Sequence, residues 1–82
     1  MIVLRKIDPS KNIARFYALS VERTLFREVA AVRRWGRIGS HGQRQEVWFG
    51  DHERAHNQLT TWARAKVSRG YIRLASQETD LS

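Results

Sequence analysis

The sequence predicts an α+β fold, an antiparallel sheet of four to five strands packed against one long α-helix. Three observations lead there. Residues 16–22 alternate, with Tyr17, Leu19 and Val21 on one side and Phe16, Ala18 and Ser20 on the other. Short turn-forming clusters separate the apolar runs of the first fifty residues, the pattern of a meander. Past Gly50-Asp51 the period changes once, to that of a helix, and stays so to Arg69.

Taken in order, Ile2–Ile7 reads as a short first strand. Asp8-Pro9-Ser10-Lys11-Asn12 follows as a turn, because proline preset after aspartate, then serine and asparagine, suits turn geometry. Phe16–Glu22 is the second strand, Arg23-Thr24 a loop, and Phe26–Arg34 a third strand. Gly39-Ser40-His41-Gly42 makes the next turn, since its flanking glycines adopt positive φ at little cost. Gln45–Phe49 is the fourth strand, with Val47 and Phe49 expected in the core rather than Trp48. In the helix, Ala55, Leu59, Trp62, Ala63 and Lys66/Val67 form one stripe, expected to lay Leu59, Trp62 and Val67 on the sheet. Asp51 is a suitable N-cap and Glu53 suits the first turn. Arg64, Lys66 and Arg69 suit the last turns, and Gly70 the stop. Tyr71–Leu74 adds a short closing strand. Residues 1–75 are expected to form one domain and 76–82, polar and acidic, a C-terminal tail.

Composition narrows the function. The 82 residues suffice for one modest core. Cysteine is absent, which excludes disulfides and thiolate metal sites. MIVLRKIDPS has only a short apolar run before Arg5 and Lys6, unlike a signal peptide, and no stretch is long enough to span a membrane. A cytoplasmic protein, monomeric and without cofactor, is expected. Fifteen Lys and Arg against eight Asp and Glu give a net charge of +7, the balance of a nucleic-acid binder. Arginine dominates, and its planar fork matches phosphate and stacks on flat rings.

Enzymatic constellations are weak. His52-Glu53-Arg54-Ala55-His56 spells HExxH, in which two histidines one turn apart bind zinc and the glutamate activates water. A catalytic zinc needs a third protein ligand. The one remaining histidine, His41, lies in the glycine turn, and Arg54 sets a cation inside the motif. A zinc hydrolase is therefore the remote alternative, and no nucleophile–base set or phosphate loop is apparent. Attention falls on RRWGRIGSHGQRQ, residues 33–45, which interleaves Trp35 with arginines and contains no acid. Arg33 and Arg34 must face opposite sides of their strand. Arg37 and Arg44, nearest the turn, are the preferred phosphate contacts. Trp35 is either a local core anchor or a stacking platform.

Trp35-Gly36-Arg37, followed by Ile38-Gly39 and Gly42-Gln43, resembles the signature of the WGR domain. Asn12 and Arg15-Phe16-Tyr17 resemble the family's first motif, and Lys66-Val-Ser-Arg-Gly-Tyr71 is similar to its closing Lys-Thr-x-Asn-x-Trp. The resemblance covers about residues 12–74. It implies an antiparallel sheet on one helix and, by likeness to poly(ADP-ribose) polymerases, binding of DNA at strand breaks. There the motif tryptophan packs near the broken end, basic neighbours meet phosphates, and the motif arginine supports contacts between domains. Those roles carry to Trp35 and Arg37, then to Arg34, Arg44 and Lys66, and Gly36 of the motif is counted with them in the expected nucleic-acid-binding site. Val67, Arg69 and Tyr71 depart from the closing motif. The 82 residues hold no room for a catalytic domain, so the resemblance implies no ADP-ribosylation, and a stand-alone, bacterial form is the expectation. The expected function is a non-catalytic module binding DNA, with an adaptor for an acidic protein partner as the alternative.

Overall fold

A computed structural model describes residues 1–74; the tail read at 76–82 lies outside them. Five strands, β1 (Ile2–Asp8), β2 (Ile13–Arg23), β3 (Val29–Arg37), β4 (Gln43–Phe49) and β5 (Ile72–Arg73), form one sheet in the order β4-β3-β2-β1-β5. Every pairing is antiparallel. One helix, α1 (His52–Val67), packs on one face. This is the expected α+β architecture.

Alternation along the strands sorts the side chains. Leu4, Tyr17, Leu19 and Ala31 point to the helix and join Ala55, Leu59 and Tyr71 in the buried core. Leu4 and Leu19 are fully buried, each worth about 1.5–3 kcal/mol of transfer from water. Ile2, Val21, Val29, Trp35, Phe49, Trp62 and Ala63 flank that core. Phe49 thus faces inward, and Trp48 lies on the other face at 44% exposure, as the alternation of β4 requires.

Several boundaries differ from those read in the sequence. The third strand begins at Val29, not Phe26, because the chain reverses through residues 24–28. Thr24 N donates to Glu28 O, Phe26 N donates to Thr24 Oγ1, and Arg27 adopts φ 64°. Phe26 is left 69% exposed, its ring against Trp48. At its other end β3 runs through Trp35-Gly36-Arg37, since β2 starts early enough to pair with all three: Arg15 with Arg37, Phe16 with Gly36, Tyr17 with Trp35. The Asp8–Asn12 turn contains a single 3-10 turn at Pro9–Lys11, capped by Asp8 and closed by Asn12 in the left-handed region.

The helix is capped by Asp51, whose side chain accepts from Arg54 N, and it ends at Val67 rather than Arg69. Gly70, at φ 96°, allows Gly70 N to donate to Val67 O and Tyr71 N to Lys66 O. These paired bonds are a Schellman stop, which a glycine in the left-handed region permits. The stop swings Tyr71 into the core. Val67 is half exposed instead of lying on the sheet, because Lys66 takes the inward place on that turn. The closing strand is reduced to Ile72–Arg73 on the free side of β1.

Gly36 is dictated by closeness. A Cβ there would stand 2.7 Å from Gly42 Cα and 3.1 Å from Ser40 Oγ, because the β3–β4 turn folds back over it. Gly36→Ala should therefore lower stability by about 1–3 kcal/mol, the cost of overpacking a tight site, read as a lower urea midpoint with unchanged slope.

Candidate nucleic-acid interface

The half of the sheet beneath the helix C-terminus brings together aromatic rings and cations. Trp35 sits opposite Tyr17 on β2, their rings tilted with centroids 6.3 Å apart. Tyr71 packs edge-on to Tyr17, also at 6.3 Å. Trp62 descends from the helix beside them. Trp35 is thus half buried, packed on the core while part of its surface lines an open cleft.

Arg33 enters this layer from β3. Its guanidinium lies 4.6 Å from the ring centroid of Trp62 and 5.3 Å from that of Trp35. Arg33 Nη1 donates to Tyr17 Oη at 3.1 Å, and Nε donates to Gln45 Oε1. A planar, weakly hydrated cation can be held in this way between rings. Lys66 occupies the equivalent place from the helix, its Nζ 4.8 Å from the Tyr17 centroid and 5.4 Å from that of Tyr71. Burial first, then the charges of Arg69, Arg33 and Arg15, hold the Lys66 ammonium below the usual lysine range. The two ring faces are an opposing influence, since they favour the charged form.

A cleft of about 410 Å³ opens at this point, lined by Asn12, Arg15, Trp35, Gly36, Arg37, Lys66 and Tyr71. No acid lines it. Arg15 and Arg37 face one another across β2 and β3, a like-charged pair that costs stability in an antiparallel ladder. Arg37 is steadied by Asn12, donating from Nη1 to the backbone oxygen and from Nη2 to Oδ1, both at 3.3 Å. Among the described residues, none of Arg15, Arg33, Arg37, Lys66 and Arg69 is ion-paired. The only described acid at this end of the sheet, Asp8, accepts from Ser10 N and Oγ.

The six residues singled out in the sequence divide between two faces. Trp35, Arg37 and Lys66 converge on the cleft, and Gly36 contributes backbone to it. Arg34 and Arg44 pair across β3 and β4 on the opposite face. Arg34 Nη2 donates to His41 O at 2.9 Å. Arg44 is engaged by two carboxylates, Glu22 at 3.0 Å and Glu46. Glu46 also accepts from Trp48 Nε1 at 2.6 Å, and that bond, followed by the one from Arg44, holds its carboxyl below the ordinary range.

Arg15, Arg33, Arg69, Tyr17 and Tyr71 also belong to the cleft region, although motif spacing does not point to them as contacts. Counting by twos from Trp35 places Arg33 and Arg37 on its face, whereas Arg15, Arg69 and Tyr71 need the strand register and helix stop. His52 and His56 stack with centroids 6.3 Å apart at the exposed helix start, at the opposite end of the sheet from His41's turn. Among the described residues no three His, Asp or Glu side chains are grouped to hold a metal. None of their helices is long and apolar enough to cross a membrane.

The profile of the WGR domain matches residues 1–78. The chain belongs to the WGR domain family. An uncharacterized protein of Sinorhizobium fredii, y4dW, is 41% identical over 70 residues, 85% of this chain. The chain spans only 34% of that relative's length. The WGR signature itself is the cleft: the tryptophan forms its wall, the glycine admits the turn, and the arginine is clamped by Asn12.

Replacing Arg33 by leucine should cost about 1–3 kcal/mol, from lost charge-assisted bonds and ring contacts, and should shift tryptophan emission in the folded state. Glu46 has a depressed folded pKa, so its contribution is present above the ordinary carboxylate range and lost as pH falls through the lower folded value. Glu46→Gln should flatten that part of the acid limb in denaturant melts repeated across pH.

Proposed function

We propose that this WGR domain is a non-catalytic module that binds nucleic acid, with DNA as the favoured ligand, through the cleft face. The supporting observation is the cluster of Arg15, Arg37, Lys66 and Arg69 around half-buried Trp35, with no acid among them. Unpaired cations flanking an aromatic ring fit a phosphate backbone passing a stacked base or sugar. Arg33 is a positioning residue, fully engaged with Trp35, Trp62 and Tyr17. The motif contacts at strand breaks in poly(ADP-ribose) polymerases make DNA ends and nicks the first substrates to try. Arg34 and Arg44, on the other face, belong to a separate surface.

Four phosphate contacts predict a slope of about −4 in log K against log salt. The double variant Arg15→Gln/Arg69→Gln should lose about two units of that slope, while Arg34→Gln should leave it unchanged. Fluorescence anisotropy with blunt, nicked and circular duplexes at several salt concentrations measures both. Salt-independent binding, or dependence on Arg34 alone, rules the assignment out. Tight binding to an acidic protein fragment with none to DNA would favour an adaptor.

A further inference from the structure

Lys66 differs from the other two lysines of the chain. Lys6 Nζ donates to Arg69 O at 2.8 Å. Lys11 lies exposed on the 3-10 turn and does not line the cleft. Lys66 lines the cleft, rests on two tyrosine rings, and has no hydrogen-bond acceptor or carboxylate among the described residues. Burial and three arginines all oppose its proton. That combination raises the neutral, nucleophilic fraction of an amine that stands in an open site, a form the arginines around it do not reach.

We infer that Lys66 captures an aldehyde, the open-chain C1′ of an abasic deoxyribose in DNA, as a reversible imine inside the cleft. The inference rests on the nucleic-acid reading above. An abasic sugar lacks the base that would occupy the space beside Trp35, so its C1′ can enter. Arg15 and Arg37 stand at the cleft and Arg69 beside it, set to hold the flanking phosphates. Neutral Nζ adds to C1′. The carbonyl oxygen leaves as water with both amine hydrogens, giving a C1′=Nζ double bond. A proton taken back from solvent makes the iminium, again a cation on the faces of Tyr17 and Tyr71, which suits the ring contacts already present. Hydrolysis reverses each step, and the DNA strand stays intact.

The test uses two duplexes, one with a single natural abasic site and one with a tetrahydrofuran analogue that has no aldehyde. Binding to each is measured by anisotropy, and covalent complex is trapped with borohydride, which delivers hydride to the imine carbon. Adduct yield is expressed per bound complex at saturating protein. The expected result is binding to both, adduct only with the abasic duplex, and peptide mapping that places it on Lys66. Lys66→Arg should reduce the adduct at least tenfold, and Lys11→Arg should not. Binding without adduct, or adduct spread over Lys6, Lys11 and the amino terminus, overturns the inference and leaves the binding function standing. No binding to either duplex removes both.

Discussion

The cleft depends on the pairing of Tyr17 with Trp35 across β2 and β3. A shift of one residue would turn Trp35 to the opposite face and bring Arg34 to the helix side. With the register as it stands, Arg33, Trp35 and Arg37 share a face, and each finds a different partner. Arg33 meets Trp62, Trp35 meets Tyr17, and Arg37 meets Asn12. The register is in turn held by the buried run of Leu4, Tyr17, Leu19 and Ala31, which only one alignment keeps under the helix.

Concentrating cations at one end has an energetic cost, visible in the facing Arg15 and Arg37 and in the depressed ammonium of Lys66. The fold offsets it locally. Rings take two of the charges, and the helix ends at this point with its carbonyls outward. Lys6 and Lys66 both lie near that negative pole, which favours nearby cations. On the far face the opposite strategy operates. There Arg44 is neutralised by Glu22 and Glu46. Arg44 is thus charge-compensated, whereas the cations of the cleft have no ion pair among the described residues.

The sequence made the fold legible wherever a period was long enough to count. The helix, its Asp51 cap, the alternation of the second strand and the inward Phe49 all follow from local pattern. The end of β3 was not legible, because glycines around Trp35 look like a turn, yet pairing with Arg15–Tyr17 carries the strand through them. The hydrophobicity of Phe26 suggests a strand, while the bonds of Thr24 that bend the chain are specific to that loop. For the cleft, Trp35, Arg37 and Lys66 could be picked from motif spacing. Arg44 looked equivalent to Arg37 by distance from the turn, and only the sheet register shows that its partners are glutamates on another face. Tyr71 and Arg69 reach the cleft through the Gly70 stop, a tertiary consequence of one left-handed residue.

The distribution of charge between the two ends of the sheet also gives the molecule a direction. Among the described residues, Glu22, Glu28, Asp51 and Glu53 lie toward the end of the sheet where the helix begins, interspersed with Arg23, Arg27 and Arg54, and the unpaired cations of the cleft lie where it ends, with no acid among them. The electric field around the domain is therefore uneven. A polyanion approaching within a Debye length, about 10 Å at 0.1 M salt, experiences a torque before any contact forms. Under the nucleic-acid reading proposed above, that torque would bias encounters toward cleft-first and speed association.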